Sequence, residues 1–266
     1  MPFFDSHCHF DFTEFDADRM QLWQHAMTLG VQGLLIPGVG PVQWPAAQAL
    51  SRQLSGCYFA LGIHPWWIDK TATDPLALQF YAYQMSLLLD EDKANEQPRC
   101  IAIGEAGLDK NIDVPISRQL DLLDWHIDLA NQFHLPLIVH SVKTHNELIA
   151  HCKKNPPLYG GVVHAFSGSY ETAMQLINLG FYLGAGGTIS YGRAQKTRST
   201  FARVPLESVL LETDAPDMPL SGEQGQRNSP ENLPRIAQLF AELRNESPET
   251  ITAVVWENNR RLFGIF

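Results

Sequence analysis

At 266 residues the chain is long enough for one large domain or two small ones, and α/β barrels commonly fill about 250 residues as a single domain. A hydrophobic content of 45% with 18% charged residues excludes a disordered chain, and no apolar run approaches the ~18–20 residues of a membrane span. The formal net charge of −10 argues against a protein that coats a nucleic-acid duplex, because such binding draws on a surplus of Lys and Arg.

The predicted elements alternate along the chain. A strand at 3–5 leads to a helix at 16–29, and one at 33–36 to a helix at 42–54. Strand 58–61 precedes helix 74–90, and strand 101–104 precedes helix 116–133. Strand 137–139 precedes helix 144–153, and strand 161–163 precedes helix 170–179. Strand 181–183 precedes helix 193–202, strand 209–211 precedes helix 231–244, and a last helix fits 248–263. Several strands are apolar on both faces, as in Ile101-Ala102-Ile103, Leu137-Ile138-Val139 and Val209-Leu210-Leu211. That is the pattern of a parallel sheet covered by helices. Eight strand–helix units count out to an α/β protein of the (β/α)8 TIM-barrel class, a single domain over 1–266. The rival, a doubly wound open sheet, calls for a glycine-rich turn after its first strand, where this chain has Ser6-His7-Cys8-His9. Residues 90–98 read as a solvated loop without chemistry. The four cysteines form no CxxC pair, and no basic leader region precedes Arg19, so a cytoplasmic protein with reduced thiols is expected.

The polar residues at the predicted strand ends carry the chemistry, because barrel active sites lie at the C-terminal ends of the strands. His7 and His9 follow the first strand; in extended chain, residues i and i+2 point the same way, so both imidazoles can reach one ion. Asp5 is placed to accept a proton from an imidazole; the alternative is a polar turn. Glu105 follows the fourth strand, where a carboxylate is costly to leave unpaired. It resolves that cost by bridging two cations, or else by a salt bridge. His140 and His164 end the fifth and sixth strands. His64, in His64-Pro65, orients substrate or water rather than ligating. Asp214 follows the eighth strand, placed to hold a metal and to accept a proton from an activated water. Glu212 is an outer helper or a structural residue. Histidines with carboxylates and no thiolate suit Zn, Mn, Mg or Fe, and this many converging donors suggests two ions.

In order, HxH, GEAGLD (104–109), LIVHS (137–141), HAFSGS (164–169) and LETDAP (211–216) resemble the TatD family of metal-dependent deoxyribonucleases, within the amidohydrolase superfamily and closest to its YjjV-like branch. The resemblance covers about 4–263. It implies a (β/α)8 barrel with two divalent ions (Mg, Mn or Zn). One ion would lie on His7, His9, Glu105 and Asp214, and the other on Glu105, His140 and His164, with His64 beside the reacting phosphate. It also implies 3′-to-5′ exonuclease action. There are departures: the arginine common after HS is Val142, with Lys143 next, the aromatic common after GLD is Lys110, and a glutamine common in the preceding helix is His126.

On the substrate side, no acidic residue falls between Thr172 and Leu206, while Arg193, Lys196, Arg198 and Arg203 do. Arg193 and Arg227 are expected to meet phosphate, with Asn228 in an RNxP segment resembling the family's and Lys143 near the fifth strand. Lys196 and Arg198 fit a solvated helix face equally well. Trp66 and Trp67 would stack an unpaired base or form a packing lid. The expected function is phosphodiester hydrolysis through a metal-activated water, with single-stranded or end-frayed DNA as substrate and no membrane or obligate protein partner. The alternatives are a metal-dependent amidohydrolase or lactonase on a small molecule, and a metal-binding scaffold without turnover.

Overall fold

The structure is a computed structural model and describes residues 2–68 and 75–265. Eight parallel strands lie in one sheet in chain order: β1 (Phe3–Asp5), β2 (Val31–Ile36), β3 (Cys57–Leu61), β4 (Cys100–Asp109), β5 (Leu137–Val142), β6 (Gly161–Val163), β7 (Phe181–Ala185) and β8 (Val209–Leu211). Among the described residues the α-helices are α1 (Arg19–Thr28), α2 (Trp44–Gln53), α3 (Pro75–Lys93), α4 (Ile116–Phe133), α5 (His145–Cys152), α6 (Tyr170–Asn178), α7 (Gln195–Phe201), α8 (Leu233–Arg244) and α9 (Pro248–Phe263). This is the (β/α)8 alternation expected from the sequence. Beyond β1, the Ser6 N–H donates to the Leu211 carbonyl of β8 at 3.1 Å. No helix among the described residues is long and apolar enough to cross a membrane. All four cysteines are buried, and none is joined in a disulfide.

The chain divides into two compact units, Met1–Ile36 with Val162–Phe266, and Pro37–Gly161. In the first, β1 pairs with β2 and β7 with β8. Its core is aromatic. Phe10 meets Phe15 and Trp23 at ring distances of 5.0 and 6.1 Å, and Phe201 meets Phe166 and Phe240 edge-on at 5.9 Å. Such pairs contribute about 0.5–1.5 kcal/mol beyond their area. The helices start and stop on sequence signals. Ser169 and Ser247 accept the N–H groups of Thr172 and Thr250 at the starts of α6 and α9. Pro248 opens α9, and Gly264 in the left-handed region ends it.

In the second unit β4 is the longest strand, and all ten of its residues are buried. The sequence predicts an end to this strand at 104, with Glu105 beyond it. The strand instead runs through Asp109, so Glu105 lies inside β4. Gly104 and Gly107 have φ of 129° and 152°, and the β4–β5 register shifts between Ile103 and Ala106. The two glycines form a bulge that re-aims the strand without ending it. At Gly107 a Cβ would stand 2.0 Å from the His140 carbonyl, so only glycine fits. The third helix likewise outruns its predicted end and takes in part of the expected loop. Its last turn has partners: buried Asp92 accepts the N–H groups of Arg99 and Cys100 at 2.7 Å, and Lys93 donates to the Phe133 carbonyl. Residue 74, where that helix was expected to begin, lies outside the described residues.

Candidate metal centre

Among the described residues, each unit gathers a cluster of side chains that could hold a metal ion. In the first unit, the segment after β1 is held against the segment after β8. The Asp214 N–H donates to the His7 carbonyl at 2.9 Å, and the His9 N–H to the Ala215 carbonyl at 2.8 Å. Asp5, expected from the sequence to accept a proton from an imidazole, does not meet one. Its carboxylate accepts the Thr213 N–H at 2.9 Å, the Thr213 hydroxyl at 2.6 Å and the His7 backbone N–H at 3.4 Å. Facing Thr213 across the β1–β8 junction, it is fully taken up in joining the two ends. Burial raises its pKa to about 7, against the lowering effect of these bonds.

His7 and His9 aim to one side, as the i, i+2 spacing dictates. Their Nε2 atoms stand 3.4 Å apart, and they lie 3.5 and 3.7 Å from Asp214 Oδ1. Ligand atoms around a tetrahedral ion with bonds of about 2.0–2.1 Å are about 3.4 Å apart. The three atoms therefore outline one face of a cation site, and the donor set fits a divalent ion. His164 joins them: its ring stacks on His7 at 4.0 Å and 11°, and His7, His164 and Asp214 offer ligand atoms within 4.8 Å of one another. Behind it lies Glu212, fully buried, whose Oε1 accepts the Ala165 N–H. Burial pushes its pKa to about 8, outweighing the attraction of His164.

In the second unit, Glu105 Oε1 lies 3.0 Å from His140 Nδ1 and 3.4 Å from His64 Nε2. The three offer another candidate group. His64 Nδ1 accepts the Trp66 N–H at 3.1 Å. A neutral imidazole that accepts at one nitrogen carries its proton on the other. In that form His64 presents an N–H toward Glu105. His140 is different, because its Nε2 faces Asp109 Oδ2 at 3.2 Å. Burial raises the Asp109 carboxyl, but bonds from His140, Trp66 and the Asn111 N–H outweigh it and hold the group well below the usual carboxylate range.

Asp109 escaped the sequence reading, although strand alternation signals it: residues 105, 107 and 109 share a face, with glycine between two acids. His126 also acts unannounced. Its Nδ1–H donates to the Leu122 carbonyl at 2.8 Å, and its Nε2 accepts the Ile63 N–H at 3.0 Å, fixing the backbone one residue before His64.

The expected substrate contacts divide. Arg227 grips both Asp18 oxygens at 2.9 and 2.6 Å, donates to the Glu14 carbonyl and lies over the Phe15 ring. Asn228 is buried and gives its side chain to the loop after β8, donating to Thr213, Asp217 and Met218 carbonyls and accepting from Ser229 and Asn232. Both are occupied in holding the fold, because the long loop after β8 has no regular partner for its backbone. In the acid-free stretch, Arg198 donates to the Ile189 carbonyl and Arg203 lies over Tyr170, while Arg193 and Lys196 are exposed. Lys143 is exposed and donates to Asn111 Oδ1.

The chain matches the family model described as TatD related DNase over residues 4–264. The chain belongs to the TatD family. An uncharacterized metal-dependent hydrolase, YjjV of Escherichia coli K12, is 40% identical over 99% of this chain and 98% of that one. The crystal structure of YjjV superposes with a TM-score of 0.91. A TatD of Erwinia billingiae named 3′-5′ ssDNA/RNA exonuclease is 31% identical over 98% of each chain. Members of the TatD family with these sequences are metal-dependent hydrolases, and so is this protein.

Proposed function

We propose that the protein is a phosphodiesterase that shortens single-stranded nucleic acid from its 3′ end, and that each of the two clusters would hold a divalent cation. The supporting observation is the donor set. His7, His9 and Asp214 are spaced for a cation, and Glu105 and His140 supply a second carboxylate–imidazole pair. The TatD relatives named as exonucleases supply the substrate class. A divalent cation bound there would lower the pKa of an attacking water and neutralise charge on the phosphate.

The side chains do the rest. Asp214 accepts the proton of the attacking water, and the His64 Nε2–H donates to a phosphate oxygen as charge builds on it. Exposed Arg193 and Lys143 contact the phosphates of the strand. With most other cations tied into the fold, binding is loose and salt-sensitive, in keeping with the −10 charge.

The test strips the protein with a chelator, restores Mg2+, Mn2+ or Zn2+, and follows 5′-labelled single-stranded DNA and RNA on a gel. A ladder shortening from the 3′ end, abolished by chelator and by Glu105→Ala, supports the reading. Turnover of lactones or cyclic amides with no cut of either strand overturns it.

A further inference from the structure

The mechanism leaves the buried acid at the end of β4 unused. Asp109, at the end of β4, is 1% exposed, yet its neighbour Lys110 turns to Glu147 and gives it no counter-charge. Its backbone is clamped by buried Gln119, which accepts the Asp109 N–H at 2.7 Å and donates to the Asp109 carbonyl at 3.0 Å. The two carboxylate oxygens have separate partners. Oδ1 accepts the Asn111 N–H at 2.7 Å, an ordinary turn contact. Oδ2 accepts the indole N–H of Trp66 at 2.7 Å and faces His140 Nε2 at 3.2 Å. A turn explains the first oxygen and says nothing of the second.

We propose that Asp109 is the positioning residue of the Glu105–His140 cluster: by taking the Nε2 proton of His140 it turns the Nδ1 lone pair toward Glu105, where a cation binds. The inference rests on the reading of His140 as a ligand. A ligating imidazole whose other nitrogen donates to a carboxylate has a fixed tautomer and ring angle and a stronger lone pair. The same Oδ2 holds Trp66. That indole is 61% exposed, and its ring stands edge-on to His64 at 5.3 Å. Its N–H edge is thus pinned inward, leaving ring surface to solvent. The carboxylate links an exposed aromatic surface, suited to a nucleobase, to the group that holds the ion.

Asparagine separates the two roles. Asp109→Asn keeps an oxygen for the Asn111 N–H but turns an NH2 group toward His140 and Trp66. His140 must then offer Nε2 as acceptor and move its proton to Nδ1. Zn2+ binding to the whole protein is measured by competition with a chromogenic chelator, together with the thermal midpoint, for wild type, Asp109→Asn, Asp109→Ala and His140→Ala. The expected result is that both Asp109 variants weaken Zn2+ binding by about 10- to 100-fold, with Asn no milder than Ala. If His140→Ala weakens binding and Asp109→Asn does not, the positioning role is wrong and the metal site stands. If His140→Ala also leaves binding unchanged, the reading of the site itself fails. Should Asp109→Asn not fold, long-range 1H–15N spectra of the Zn2+-loaded wild type decide: a proton on His140 Nε2 supports the role, and a proton on Nδ1 overturns it.

Discussion

Replacing His126 by glutamine should leave the protein's stability at pH 7 almost unchanged and alter how that stability responds to acid. The imidazole is fully buried, and burial lowers its pKa from 6.5 to about 4, against the small raising effect of the Leu122 carbonyl. Protonation would force a donor against the Ile63 N–H, which needs an acceptor at Nε2. Because the folded pKa lies below the unfolded one, the unfolded chain binds more protons between pH 6.5 and 4. Stability is therefore full above about pH 6.5 and falls as the pH drops through that window. One pH unit is worth about 1.4 kcal/mol, so the whole window is worth about 3 kcal/mol, and about 2 kcal/mol is lost between pH 7 and 5. Glutamine at 126 can accept from Ile63 and donate to Leu122 without titrating. Urea midpoints of wild type and His126→Gln at pH 7, 6 and 5 measure the difference, and the acid responses of Asp5 and Glu212, common to both proteins, cancel. Parallel stability curves over this range would refute the account of His126 as a neutral buried bridge.

Three further outcomes are expected. Gly184→Ala should cost about 1–3 kcal/mol in a urea titration, since a Cβ there would stand 2.2 Å from buried Glu212 Oε2. Arg227→Ala should leave turnover within twofold, and a double-mutant cycle with Asp18→Ala in urea should give only the small coupling of a solvent-screened ion pair. Asp214→Asn should lower kcat by about 10²–10⁴-fold through loss of the proton acceptor, while circular dichroism remains that of the wild type.

The order of the elements was legible because each helix and strand in this chain keeps its own periodicity. The strand ends were less so. Gly104 and Gly107 look like terminators, and only the register against β5 shows them to be a bulge inside β4. The donors of both clusters could be named from their places after apolar runs. Asp109 and His126 could not, because their partners lie on elements remote in sequence and each is chemically ordinary in its local context. Arg227 and Asn228 show the converse. A polar segment beside a site reads as a substrate contact until the carbonyls and carboxylates that occupy it are visible.

The clasp between Asp5 and Thr213 spans 208 residues. A ribosome adding about 5–20 residues per second needs roughly 10–40 s to make that stretch. Throughout that time His7 and His9 exist without Asp214, as a pair of imidazoles on a nascent chain. An ion held by all three can be captured only after the last strand has docked on the first. On the proposed reading, metal loading would be coupled to that docking, and a bound ion would stabilise the docked chain over one that has not yet made Asp214.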